Sequence, residues 1–223
     1  MAGHYGLDGK LIQKYYKENL SDFREWDLLS HAEDYILFPK NISYHLCIDE
    51  TALTSGELYT ILSSKKGHGR KGTIVAVIKG TKAEDIINVL CKIPEKERNI
   101  VKEVTLDMAG SMQKIIQCCF PKAIQVIDSF HVQNLRPQSY DKNVARLKLA
   151  QWYESIEKEG YRNFSTVSQT IKNNYERILN FFINRSTNAA AESFNAKLKF
   201  FRASFRGVAD MTFFLFRISK IYA

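Results

Sequence analysis

Three apolar segments of the sequence each end in an aspartate, and this pattern constrains the fold more than any other feature. The acids are Asp49, Asp107 and Asp128, and an isoleucine or a leucine stands directly before each. β-Forming residues that stop at a carboxylate are typical of strands with an acid at the tip, because an unpaired charge is costly inside a sheet. The pattern therefore predicts a sheet that gathers carboxylates at its strand ends.

A fourth acid, Glu192, follows three alanines in a segment with strong helical character, which Thr187 or Asn188 can cap. We predict that this late helix holds Glu192 over the edge of the sheet. Carboxylates suit hard cations such as Mg²⁺ and Mn²⁺. Asp49, Asp107 and Glu192 are thus predicted to bind two divalent ions, an arrangement that can activate an attacking oxygen and stabilise a leaving oxygen at a phosphodiester.

The order of predicted elements favours an α/β fold with a mixed, five-stranded sheet flanked by helices and followed by a helical C-terminal part. Two leading helices are predicted at 8–19 and 21–38, the second ended by Pro39. Strands are predicted at 45–49, 58–63, 73–78, up to 107 and at 123–128, with helices at 82–93 and 109–120. Later helices are predicted at 144–159, 164–182, 189–202 and 208–222.

The positive charge is concentrated in the C-terminal part of the chain. Residues 1–135 hold 17 Lys/Arg and 17 Asp/Glu, whereas residues 136–223 hold 15 and 7, which accounts for the net charge of +8. Such asymmetry is typical of a surface that binds a polyanion, although a merely solvated basic surface is the alternative. A glycine-rich hairpin tip is predicted at 65–72 and carries further cations. The cations of this tip and of the C-terminal part that are predicted to contact the polyanion are Lys65, Lys66, Arg70, Lys71, Lys197, Lys199, Arg202 and Arg206.

The cysteines and the apolar segments exclude several classes of protein. Cys47, Cys91, Cys118 and Cys119 have no C-x-x-C spacing, so neither a zinc site nor a disulfide framework is predicted, and they are interpreted as core thiols of a reducing compartment. No apolar run approaches membrane length, and the first ten residues lack the apolar core of a targeting signal. We therefore expect a cytoplasmic protein with no membrane partner.

Four segments of the sequence together resemble a known family, the DDE transposases of bacterial insertion sequences, in particular the ISL3 group. The segments occur in the order of the family and span most of residues 21–223. They are Ile48–Leu53 (IDETAL), Thr105–Met112 (TLDMAGSM), Asp128–Val132 (DSFHV) and Asn184–Lys197 (NRSTNAAAESFNAK).

The resemblance implies an RNase H-like catalytic core, with Asp49, Asp107 and Glu192 as the triad that binds two Mg²⁺ or Mn²⁺ ions. It also implies DNA as the polyanion, a homo-oligomer and a bacterial cytoplasmic location. Asp128 and His131 resemble the D-x-x-H pattern of several transposase groups and are accessory candidates. His131 as a hydrogen-bonded structural residue is the alternative.

The sequence departs from the family pattern at three places. Ser129 stands where the family usually has Arg, and the separation of Asp107 and Glu192, 85 positions, is shorter than the family's helical insertion usually needs. We therefore expect a helical leader at 1–40 and a catalytic domain at 41–223, in which 132–183 is a shortened insertion. No zinc ribbon or helix-turn-helix precedes Asp49, so a separate N-terminal DNA-binding polypeptide is expected to recognise the element ends.

Three functions compete at this point. The resemblance implies metal-dependent DNA cleavage and strand transfer, whereas the short insertion favours a catalytically inactive remnant that binds DNA or a protein partner. The segment at 48–53 also loosely resembles the nucleophile motif of haloacid dehalogenase-like phosphatases. That chemistry requires a second Asp where Thr51 stands and has no use for Glu192, so it is the least favoured of the three.

Overall fold

A mixed sheet organises the part of the chain that the structure describes. The structure is a computed structural model that describes residues 8–53, 56–127, 142–159, 165–184, 187–204 and 210–223. Within these ranges six strands lie in the spatial order β1-β4-β3-β2-β5-β6, with β2, β5 and β6 parallel and the other neighbours antiparallel. The strands are β1 Tyr35–Leu37, β2 His45–Ala52, β3 Leu58–Ser64, β4 Ile74–Lys79, β5 Glu103–Leu106 and β6 Ile124–Ile127.

Helices cover both faces of this sheet. They are α1 Gly9–Tyr15, α2 Ala83–Leu90, α3 Glu95–Arg98, α4 Gly110–Cys119, α5 Lys142–Glu159, α6 Ser165–Asn173, α7 Tyr175–Asn184, α8 Ala189–Ser204 and α9 Met211–Tyr222. One face packs against α2 and α4 through a cluster that includes Ile48, Leu106 and Ile116. The other face packs against α8 and α9 through Ile61 and Leu198, among others. Because both faces are covered, β3, β4 and β5 are buried along nearly their whole length.

A β-bulge in β4 places two residues that are three positions apart, Ile74 and Val77, on the same face of the sheet. The pairing of β3 with β4 passes from Leu62–Ala76 to Ser63–Ile74, which leaves Val75 as the extra residue. Val75 packs on the α2 and α4 side, whereas Ile74 and Val77 pack on the α8 and α9 side. Without the extra residue, two positions three apart on a strand would point to opposite faces.

The prediction of a helix at 21–38 is wrong. Turns and one short 3₁₀ segment, Leu29–His31, occupy most of this stretch, and its end is strand β1. Ile36 is completely buried, and β1 pairs with β4, so the sheet has six strands in the described residues rather than the predicted five. Pairing with an existing edge strand outweighed the helical spacing of the apolar residues. The predicted boundary of a leader at residue 40 stays a prediction.

An aromatic cluster holds the turns after α1 in place. Phe23 lies edge-to-face with Phe213 and Phe216 of α9, at centroid distances of 5.2 and 5.4 Å, and Trp26 packs on Phe216 at 5.4 Å. Such pairs add roughly 0.5–1.5 kcal/mol each to the burial of their area. Phe23 and Trp26 thus contact α9, which packs on the same face of the sheet as α8.

The other predicted elements are confirmed, with two differences. The predicted helix at 164–182 is two helices, α6 and α7, separated at Asn174, whose buried side chain donates to the Thr170 carbonyl and accepts from Gln113 at 2.6 Å. Strand β2 continues past Asp49 to Ala52, so this acid lies inside a strand. Among the described residues, no helix combines the length and the apolar character needed to cross a bilayer.

Candidate active site

Two of the predicted acids lie side by side on neighbouring parallel strands. The pairing of β2 with β5 aligns Leu46 with Val104 and Cys47 with Thr105. Continuing this register brings Asp107, directly after the end of β5, to the level of Asp49. Ile48 and Leu106, the residues before them, are buried on the α2 and α4 side. Because side chains alternate along a strand, both acids project to the α8 side.

Helix α8 lies over this part of the sheet because one of its faces is buried. Ala191, Phe194, Asn195 and Leu198 are its buried residues, at the spacing of a stripe that faces a core. Cys47, buried on β2, lies close to the backbone of Ala191 at the start of α8. Glu192, next to this stripe in the first turn, is exposed.

The two strand acids are oriented by hydrogen bonds. One Asp49 oxygen, Oδ1, accepts from the Glu50 backbone N–H at 2.9 Å, and the other, Oδ2, accepts from the Asn195 side-chain amide at 2.7 Å. Asp107 Oδ1 accepts from the Met108 backbone N–H at 2.5 Å. A carboxylate has about four lone-pair positions, so the two hydrogen bonds of Asp49 do not occupy all the positions of its carboxylate.

The acids also act on one another electrostatically. Burial raises the pKa of the Asp49 carboxyl, and the negative charges of Asp107 and Glu192 raise it further, against the hydrogen bonds from Glu50 and Asn195. The pKa of Glu50 is raised by burial and then by the charges of Asp49 and Asp107. Like charges gathered in a partly buried site favour the neutral form of a carboxyl or the binding of a cation between them.

The donor set fits a hard divalent cation. Asp49, Asp107 and Glu192 offer only carboxylate oxygens, which is the chemistry that Mg²⁺ and Mn²⁺ prefer. In the conformation described, no three His, Cys, Asp or Glu side chains of the described residues are grouped closely enough to hold a metal ion. Of the three candidate ligands, Glu192 is the one whose side chain is exposed. The accessory candidates Asp128 and His131 lie outside the described residues, as do Ser129 and Arg206.

An ion pair between Lys65 and the buried Glu103 lies next to the acids, on the same face of the sheet. Lys65 Nζ donates to Thr105 Oγ1 at 2.6 Å and lies 3.4 Å from Glu103 Oε1, whose side chain is only 2% exposed. Glu103 and Thr105 share the face of Asp107, since they precede it by four and two positions on β5. The ammonium group of Lys65 is thus paired with two groups of the protein, and the predicted contact of Lys65 with DNA stays a prediction.

The other predicted DNA-contacting cations lie at the surface. Lys66, Arg70 and Lys71 are exposed at the hairpin tip between β3 and β4, and Lys197 Nζ donates to the Gly69 carbonyl at 3.0 Å. This contact joins the tip to α8, on which Lys199 is exposed and Arg202 half-buried. The hairpin tip and α8 thus form one basic surface, on the α8 side of the sheet where the acids project.

Sequence reasoning missed Asn195 and the pair formed by Lys65 and Glu103. A signal existed for each of them. Asn195 is the polar member of an otherwise apolar stripe on α8, and Glu103 occupies a position in β5 whose neighbours are all buried. A buried polar side chain requires a partner, so each position marks a specific contact rather than a surface residue.

The comparison with protein families shows the family to which the chain belongs. A family model described as a transposase, that of the ISL3-type DDE enzymes, matches residues 46–142 and 135–218. The chain belongs to the ISL3-type DDE transposase family. The match begins in β2 and ends in α9, so it includes the acids, α8 and the hairpin tip of this transposase.

Membership confirms the resemblance and the fold class of the sequence analysis. The six-stranded mixed sheet flanked by helices, found in the described residues, is consistent with the RNase H-like fold of DDE transposases. Transposases bind DNA, and DDE transposases generally use divalent metal ions. No curated protein matches the chain.

Proposed function

We propose that this transposase cleaves DNA at the ends of an insertion sequence and joins the freed 3′-hydroxyl to a target strand. Asp49, Asp107 and Glu192 are its catalytic residues and its ligands for two Mg²⁺ or Mn²⁺ ions. One observation carries the proposal: two aspartates stand at the same level of adjacent parallel strands, under the helix that bears Glu192, and both project toward that helix.

Each part of the site contributes a separate function to this reaction. Ions held by the three acids would neutralise the phosphodiester and activate first a water and then a 3′-hydroxyl for attack. The backbone N–H groups of Glu50 and Met108 keep the strand acids in a fixed orientation. Since Asp49 lies in the sheet and Asp107 directly follows one of its strands, these two acids need little rearrangement during the reaction.

The basic surface next to the site supplies the contacts to DNA. Lys66, Arg70, Lys71, Lys197 and Lys199 present ammonium and guanidinium groups that gain affinity by displacing counterions from phosphates. Contacts of this kind position DNA without reading its sequence. Half-buried Arg202 completes the surface on α8. Arg206, outside the described residues, keeps its proposed contact with DNA.

Several further parts of the proposal rest on membership in the family. They are assembly of the transposase into a homo-oligomer, recognition of element ends by a separate N-terminal DNA-binding polypeptide, and a bacterial cytoplasmic location. The division into a leader at 1–40 and a domain at 41–223 with a shortened insertion at 132–183 belongs with them. Asp128 and His131 keep their proposed accessory role.

Strand transfer of a pre-nicked element-end DNA, with Mn²⁺, tests the assignment of the acids. Asp107→Asn should reduce the rate by at least about 100-fold, because the amide keeps the shape of the side chain but removes a charged ligand. Asp85→Asn is the matched control, since Asp85 is exposed on α2, on the opposite face of the sheet. Full activity of Asp107→Asn would show that the assignment is wrong.

The same assay separates this function from an inactive, DNA-binding protein. The 85-residue separation of Asp107 and Glu192 favours that second candidate. If the wild type neither cleaves nor joins DNA in Mg²⁺ or Mn²⁺, but binds DNA in a salt-sensitive manner, the inactive protein is the correct assignment. Glu192→Gln should abolish activity in the first case and leave DNA binding unchanged in both.

A further inference from the structure

Asn195 occupies a position on α8 where an apolar residue would be expected. It lies between Phe194 and Leu198 in the buried stripe and is only 6% exposed. Burying an amide without partners costs about 1–3 kcal/mol in proteins. The amide therefore needs a partner at this position, and that partner is Asp49.

The contact joins two elements that are far apart in the sequence. Asn195 Nδ2 donates to Asp49 Oδ2 at 2.7 Å, across 146 residues. Three positions separate Asn195 from Glu192, so both lie on one side of α8, one turn apart. A single helix thus carries an acid of the site and the amide that holds another acid of the site.

We infer that Asn195 is a positioning residue that holds the Asp49 carboxylate in the orientation required for cation binding. This inference rests on the proposed function, since Asp49 is its metal ligand. With Oδ1 held by the Glu50 N–H and Oδ2 by Asn195, the carboxylate cannot rotate about its Cβ–Cγ bond without losing two hydrogen bonds. Ligand carboxylates held in this way by neighbouring donors typically bind metal about 10–100-fold more tightly.

The same bond couples the cation site to the docking of α8. Asn195 can hold Asp49 only when α8 is docked on the sheet. The same docking brings Glu192 over the two aspartates. Phe194 and Leu198, both essentially unexposed, provide the apolar contact for that docking, whereas Asn195 makes it specific for one register of the helix.

Manganese affinity of the DNA-free protein, measured by calorimetry or electron paramagnetic resonance, tests the inference without relying on activity. Asn195→Ala should weaken Mn²⁺ binding at least tenfold. Asn174→Ala is a matched control, because Asn174 is also a buried asparagine, 4% exposed, that bonds a side chain of another element, Gln113. The control should lose thermal stability to a similar extent and keep its Mn²⁺ affinity within twofold. Equal Mn²⁺ affinity of Asn195→Ala and wild type would overturn the inference.

A measurement on the wild type covers the case in which Asn195→Ala does not fold. The side-chain amide protons of Asn195, observed by NMR, should exchange slowly with solvent and remain protected when Mg²⁺ is added. Loss of protection on adding Mg²⁺ would show that the ion displaces Asn195 from Asp49, which would refute a positioning role.

The two proposals fail in different ways. If Asp49→Asn binds Mn²⁺ as tightly as the wild type, the assignment of the acids is wrong, and the role of Asn195 falls with it. Wild-type protein that binds Mn²⁺ through Asp49 and transfers strands, while Asn195→Ala binds Mn²⁺ equally well, would leave the function standing and remove only the positioning role.

Discussion

Replacement of Lys65 by methionine should destabilise the protein severely, although Lys65 belongs to a segment that reads as a surface hairpin. Its Nζ lies 3.4 Å from Glu103 Oε1 and 2.6 Å from Thr105 Oγ1, and the two charged side chains are only 19% and 2% exposed. Methionine preserves the length of the side chain but leaves the Glu103 carboxylate buried without its ion-pair partner.

The magnitude follows from the burial of Glu103. Removing one partner of a buried ion pair costs about 3–5 kcal/mol. The lower end applies here, because Lys65 is partly accessible to water and Glu103 has further contacts. A loss of about 3 kcal/mol lowers the folding equilibrium constant roughly 150-fold and the midpoint of thermal unfolding by about 6–12 °C for a chain of this size.

Urea unfolding followed by tryptophan fluorescence measures this loss. Lys66→Met is the control, since Lys66 is exposed in the same segment, and its cost should stay within about 0.5 kcal/mol. The double variant Lys65→Met, Glu103→Gln should recover at least half of the loss, because both charges of the pair are then gone. A cost below about 1 kcal/mol for Lys65→Met, or no recovery in the double variant, would refute the reasoning.

Three further predictions concern the site acids, the hairpin and the thiols. Asp49→Asn should raise the free energy of unfolding of the metal-free protein at pH 7, and this gain should disappear at low pH. Because folding raises the pKa of Asp49, its ionised carboxylate destabilises the folded state at pH values above that pKa. Urea titrations at several pH values measure the difference. Gly67→Ala should destabilise by about 1–3 kcal/mol in urea unfolding, because its Cβ would lie 2.6 Å from the Thr73 backbone. With a disulfide reagent at pH 8, Cys47 and Cys119, whose pKa values burial raises to about 11 and about 12, should react only after unfolding. Cys91 and Cys118 are exposed, so the interpretation of all four cysteines as core thiols is wrong for these two, and they should react in the native protein.

The sequence predicted the central strands because each is an apolar run with a clear end. Strand β3, for example, is buried along six of its seven residues, and the α8 stripe was visible at helical spacing. The acids could be proposed from chemistry alone, since a carboxylate directly after an apolar run has few structural uses. The alignment of Asp49 with Asp107 required the register between strands that lie more than 50 residues apart.

The features that the sequence did not predict have a common cause: each of them depends on residues that are distant in the sequence. Tyr35–Leu37 became a strand because β4 offered an unpaired edge, and nothing in residues 21–38 reports that edge. Lys65 looked like one more cation of a basic tip until the fold placed Glu103 beside it. Asn195 was noticed only as a neighbour of Glu192, because its partner is 146 residues away.

The parallel register of β2 and β5 restricts how this transposase can vary in length. Side chains alternate with a period of two, so one residue inserted or deleted within β5 would carry Asp107 to the face that packs on α2 and α4. The same shift would bring Val104 and Leu106 out of the cluster in which they are fully buried. Changes of length can therefore accumulate in the turns that flank β5, whereas those within its four residues would remove a candidate ligand and part of the core in one step.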